Sequence, residues 1–255
     1  MNTIKIHAYI AHSGYTSRRK AEELVKAKKV FVNNTPATIG QRIDPSSDAV
    51  SIIEKKKTVS LPHQQPKKRY FLVNKPIGVV STTSDPDNKP TILSLIPNTV
   101  ERLYPVGRLD EESEGLLILT NDGSLTHQLT HPSFQYSKSY QVLLEKPLTS
   151  YAKKRLLTGI SLKEGRVRAQ SLEMDAHDPR VITISISQGW NRQVRRMLGV
   201  LGFEVKKLTR IAHGPFTLEQ LGNAPYTQLN VNDVRELMRK SSPEIYAAHI
   251  KRSKK

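Results

Sequence analysis

Apolar positions recur along the chain at two spacings, and the change from one to the other divides it. Near the start Ile6, Tyr9 and Ile10 fall at i, i+3, i+4, the spacing of one helical face, and Gly14 offers a left-handed stop. Ala21, Leu24 and Val25 repeat the pattern behind Thr16 or Ser17, either of which can cap a second helix. Val30-Phe31-Val32 then turns at Asn33-Asn34, which predicts a hairpin, and residues 49–53 predict another strand. From 54 to 69 the stretch is polar, charged and broken by Pro62 and Pro66, so 55–69 is expected to be a linker between units 1–54 and 70–240.

Beyond it the spacing of strands dominates. Tyr70-Phe71-Leu72-Val73 predicts a strand, Pro76-Ile77-Gly78 a turn and Val79-Val80-Ser81 a second strand. Leu116-Leu117-Ile118-Leu119 is too short for a helix of its own and reads as a buried strand. Residues 123–131 look helical, and 137–144 return to strand. Ile182, Ile184 and Ile186 alternate with Thr183, Ser185 and Ser187, as on a strand with one buried face. The clearest helix is 191–201: Val194, Met197, Leu198 and Leu201 form its apolar stripe, and Arg192, Arg195 and Arg196 a basic one. A strand over 205–211, a break at Gly214-Pro215 and a helix over 231–240 follow. The basic tail, 241–255, is expected to be disordered.

Charge narrows the function. Lys plus Arg is 40 against 23 acids, a net +17, which calls for a polyanionic partner. No apolar run approaches the ~20 residues of a membrane span, so nucleic acid is favoured over membrane. The start lacks the apolar core of a secretory signal and the chain has no cysteine, which predicts a cytoplasmic protein without disulfides or thiolate metal sites. His127 and His131 share a helical face at i, i+4, as in some zinc sites, but Gln128 stands where the accompanying Glu belongs, so no metal is assigned.

Against that charge, Asp110, Glu111, Glu112 and Glu114 crowd one loop between Gly107 and Gly115. Spacing alone favours an ordinary solvated turn. Arg18, Arg19 and Lys20 crowd a helix N-terminus, where cations oppose the dipole; a bound phosphate would remove the conflict, and a solvated basic turn is the alternative.

Longer motifs shift these readings. Gly107-Arg108-Leu109-Asp110, Ser113, Gly115-Leu116-Leu117 and Leu119-Thr120-Asn121-Asp122-Gly123 closely resemble the signature of pseudouridine synthases that modify ribosomal RNA. Asn74-Lys75-Pro76-Ile77-Gly78-Val79 and Asn191-Arg192-Gln193-Val194-Arg195-Arg196-Met197 fit the same family, and the N-terminal helices with the Val-x-Val-Asn hairpin resemble an S4 RNA-binding domain. The resemblance runs over roughly residues 4–240. It implies an α+β protein: an S4 domain over 1–54, the linker, and a catalytic domain with a mixed, largely antiparallel sheet. The implied reaction, uridine to pseudouridine, oxidises nothing and takes no donated group, so no cofactor is expected; a monomer acting on ribosomal RNA is.

By position in the motifs, Asp110 matches the catalytic carboxylate, Tyr140 the ring that stacks on the flipped base and Arg195 the partner of the carboxylate. Without the resemblance Tyr140 could be a core tyrosine, and Arg195 one more member of a basic face. Arg108 is assigned to substrate phosphate or backbone, and Arg18, Arg19, Lys20, Arg192 and Arg196 to RNA. Thr227 stands where the family usually has an Arg. Two readings from other classes remain: a non-catalytic S4-type RNA-binding or ribosome-assembly factor, and a DNA-binding protein, which would need a helix read in the major groove.

Overall fold

The computed structural model describes residues 3–55, 57–63 and 66–241. Apart from Ser241, the expected basic tail lies outside the described residues. The chain opens with β1 (Ile4–Lys5), α1 (Ile6–His12) and α2 (Arg18–Lys26). Ser17 is the cap of α2, its hydroxyl accepting from the Lys20 N–H at 3.2 Å. β2 (Val30–Val32) and β3 (Thr35–Pro36) form the hairpin, and Asn33 and Asn34 take φ of +49° and +67°, the geometry a two-residue turn demands. β4 (Arg42–Ile43) pairs with β1, and β5 (Val50–Glu54) with β2. The predicted helical faces, Ile6, Tyr9, Ile10, Ala21, Leu24 and Val25, bury against Val30, Val32, Val50 and Ile52.

The linker is shorter than the sequence suggested. β6 (Lys57–Ser60) pairs with β5 from Ser51↔Ser60 to Glu54↔Lys57. Leu61 is buried in the first core, and the Tyr9 hydroxyl donates to the Pro62 carbonyl at 3.0 Å. Every side chain of β6 is exposed, so a hydrophobic pattern had nothing to report there; the backbone alone ties it in.

The second unit runs through β7 (Tyr70–Lys75), β8 (Tyr104–Pro105), β9 (Glu114–Thr120), α3 (Gly123–Thr130), β10 (Lys138–Leu144), α4 (Ser150–Thr158), the hairpin β11 (Ile160–Leu162) and β12 (Gly165–Val167), β13 (Ser171–Met174), β14 (Val181–Ile186), α5 (Gln193–Val200), β15 (Val205–His213), β16 (Phe216–Thr217), β17 (Tyr226–Leu229) and α6 (Val231–Ser241). Its sheet follows the order β13-β14-β10-β15-β9-β7-β17, with β16 beside β15 and β8 beside β9. All pairs are antiparallel except β9 with β15. Alternate residues serve two cores: Phe71, Val73, Leu117 and Leu119 belong to the one that also takes in side chains of α4 and α5, and Tyr70, Leu72, Leu116 and Ile118 to the one with side chains of α3 and α6. Both faces of β7 and β9 are therefore dry, which explains their unbroken apolar runs. The second strand expected over Val79-Val80-Ser81 is reduced to a single bridge, Val80 to Thr91.

Candidate active site

The acidic loop is fixed from beneath by backbone contacts. Ser81 hydroxyl donates to the Leu109 carbonyl at 2.7 Å and accepts from the Leu109 N–H at 3.1 Å. Gly78 N–H donates to the Glu111 carbonyl at 2.9 Å. Lys75, fully buried in β7, donates to the carbonyls of Ser113 at 2.7 Å and Pro76 at 2.9 Å. Burial lowers its pKa to about 8, with Glu111, Asp110 and Glu114 opposing. A loop held by this many carbonyls presents its side chains in fixed positions.

Three of its acids have cationic partners. Glu111 meets Lys89 at 2.8 Å, Glu112 bonds to Arg192, and Glu114 accepts from Thr209 at 2.8 Å and lies 3.0 Å from Lys207. Asp110 alone among the four makes no ion pair among the described residues. It lines a cavity of about 520 Å³, within the usual range of small-molecule sites.

The cavity wall brings together residues far apart in sequence. Arg108, Asp110, Lys138, Tyr140, Arg192 and Arg210 all line it. Tyr140 sits in β10, 8% exposed, between Ile184 of β14 and Arg210 of β15. A bulge in β15 skips Ile211, so Lys138 opposes His213 while Tyr140 opposes Arg210. Directly opposed residues share a face, and the bulge thereby turns Arg210 to the side of Lys138 and Tyr140.

Arg195 is placed differently from the sequence expectation. It makes no ion pair with Asp110; it donates to the carbonyls of Val205 at 3.0 Å and Glu112 at 3.2 Å, and its Nε lies 3.2 Å from the Glu112 carboxylate. Its guanidinium is thus held at residue 112, close enough to Asp110 to feel its charge. Burial and Arg192 lower its pKa, and Asp110 is the charge that opposes them. Arg196 forks onto Glu164 at 2.9 Å through both Nη atoms. Thus each arginine of the predicted basic stripe is met by an acid. Arg18, Arg19 and Lys20 are exposed at the start of α2, with no acid in its first turn. The His127 and His131 rings lie tilted at 37° with centroids 4.7 Å apart, beside Phe134. Thr227 lies in edge strand β17, opposite Leu72.

Sequence reasoning missed Lys138 and Arg210 as cavity residues. Lys138 was within reach of it, two residues before Tyr140 on a strand and so on the same face. Arg210 needed the bulge, which leaves no mark in the sequence.

A small N-terminal unit of helices and a hairpin thus precedes a sheet domain whose cavity holds a carboxylate without an ion pair, and the comparisons with known proteins place this arrangement. The S4 domain profile matches residues 4–49, and that of RNA pseudouridylate synthase matches residues 69–199. The chain belongs to the RNA pseudouridylate synthase family, whose members are isomerases. It is 34% identical over 238 residues to ribosomal large subunit pseudouridine synthase B of Bacillus subtilis, covering 91% of this chain and 95% of that one. It is 32% identical over 247 residues to the dual-specificity RNA pseudouridine synthase RluF of Escherichia coli, covering 96% and 82%. A solved pseudouridylate synthase superposes with a TM-score of 0.63 at 25% identity, over 92% of this chain and 99% of that one.

Proposed function

We propose that the chain isomerises uridine to pseudouridine at a defined site in ribosomal RNA, with Asp110 reacting at the sugar or base of a nucleotide flipped into the cavity. The observation that carries this reading is Asp110 itself: on a loop where every other acid has a cationic partner, it faces the cavity unpaired. A carboxylate left unpaired keeps its lone pairs for a substrate. A stacked or paired uridine cannot be reached, so it must leave the helix, and Tyr140 offers its ring to the extruded base. Arg195 orders the loop through residue 112 and contributes a positive potential at Asp110.

Exposed cations on both units serve the RNA. Arg18, Arg19 and Lys20 meet phosphate at the N-terminus of α2, where amides and side chains favour an anion together. Arg108, Arg192 and Arg196 rim the catalytic side, the last two exchanging Glu112 and Glu164 for phosphate. The name of the Bacillus subtilis relative supports an RNA of the large ribosomal subunit.

The test is to map pseudouridine across ribosomal RNA from cells with the gene, without it, and with Asp110→Asn in its place. A site that is lost in both altered strains is expected. Identical maps in all three would leave an S4-type RNA-binding factor as the reading.

A further inference from the structure

Two buried cations of the cavity have no partner for their charge. Lys138 is 8% exposed and Arg210 1%. The Lys138 side chain makes no hydrogen bond or ion pair among the described residues. Arg210 donates through Nε to the Leu116 carbonyl at 2.8 Å and through Nη1 to that of Arg108 at 3.4 Å, and its Nη2 is buried without a partner. Burying a cation with no acid beside it is unfavourable. Two of them on one face, with the β15 bulge setting Arg210 opposite Tyr140, call for a negatively charged guest.

We propose that Lys138 and Arg210 bind the carbonyl oxygens of the flipped uracil and hold the negative charge that it carries while detached from the sugar. The inference rests on the reading of Asp110 and Tyr140 given above. When the C1′–N1 bond breaks, its electron pair stays with the ring and spreads onto the two carbonyl oxygens, leaving the sugar carbon electron-poor. The ring turns, a π pair of the ring forms the bond from C5 to C1′, C5 loses its proton and N1 gains one. Product and substrate are isomers, so no co-reactant is needed. Two charges must be held meanwhile: the electron-poor sugar carbon, which lies within the remit of the Asp110 carboxylate, and the anion of the base, for which donors fixed where charge develops need no reorganisation.

Lys138 shares the cavity with Asp110, Arg108 and Arg192, and the side of β15 facing it carries Arg210 and His213. Burial and Arg210 lower its pKa to about 8. Single-turnover isomerisation at saturating enzyme should therefore fall as pH rises through about 8 in the wild type. Lys138→Arg should retain activity above that pH, because its charge persists. Lys138→Met should be slower by about 10²–10³-fold with RNA affinity little changed. A wild-type rate that stays flat through this range, a Met variant as fast as wild type, or an Arg variant no better than Met would each overturn the proposal. An inactive wild type or an active Asp110→Asn would instead overturn the reading of the site beneath it.

Discussion

Gly115 and Arg210 meet backbone against backbone: a Cβ on Gly115 would lie 2.4 Å from the Arg210 carbonyl oxygen and 2.8 Å from its nitrogen. Gly115 also has φ +101°, outside the range of L side chains. This contact is the parallel pairing of β9 with β15, and it joins the acidic loop to the strand that carries Arg210. Gly115→Ala is therefore expected to destabilise the protein by at least about 1–3 kcal/mol. The check is the denaturant midpoint; an unchanged midpoint would contradict the packing described.

Asp122 links the first turn of α3 to the sheet. Its carboxylate accepts from Ser124 N–H at 3.0 Å, the Tyr70 hydroxyl at 2.8 Å and Lys68 at 2.8 Å. Burial raises its pKa, but Lys68, Tyr70 and the Ser124 amide outweigh this and leave it below the ordinary aspartate value. A group with a depressed folded pKa contributes stability in full above its unfolded pKa of about 3.9 and loses it as pH falls through the folded value. Asp122→Asn should be less stable than wild type at neutral pH, and the gap should close under acid. Thermal melts from neutral pH down to about pH 3 follow it through the unfolded value; a gap that does not narrow would refute this role.

Tyr140 supplies a separate readout. If its ring stacks on the flipped base, Phe keeps the contact and Ala loses about 1–3 kcal/mol of it. Single-turnover rates and RNA affinities of Tyr140→Phe and Tyr140→Ala decide between stacking and a use for the hydroxyl: equal losses in both would assign the hydroxyl.

The two units make a further prediction. Deleting residues 1–62 should weaken binding to a long ribosomal RNA fragment and flatten its salt dependence by about 0.7–0.9 in log–log slope per lost phosphate contact. Reversing the charge of Arg18 and Arg19 should reproduce part of that loss, while the chemical step at saturation survives. An unchanged salt slope would remove the first unit from RNA binding.

Much of this architecture was legible because one face of an element leaves a period in the sequence. The alternation at Ile182, Ile184 and Ile186 and the stripe of Val194, Met197 and Leu198 both reappear as buried faces. Asn33-Asn34 announced its turn through residues that tolerate positive φ. What escaped was set by backbone or by register. β6 pairs without burying a side chain, Val79 to Ser81 is held by one bridge, and α5 directs Arg195 to Glu112 rather than Asp110. Asp110 and Tyr140 were found through motif resemblance, and their shared cavity confirms only that they lie together.

Asp110→Asn tests the central claim most directly, because it removes the carboxylate while keeping the size and shape of the side chain. Single-turnover pseudouridine formation at saturating enzyme should be abolished, with RNA affinity within a few-fold of wild type. Product formed by the variant at near the wild-type rate would contradict the account.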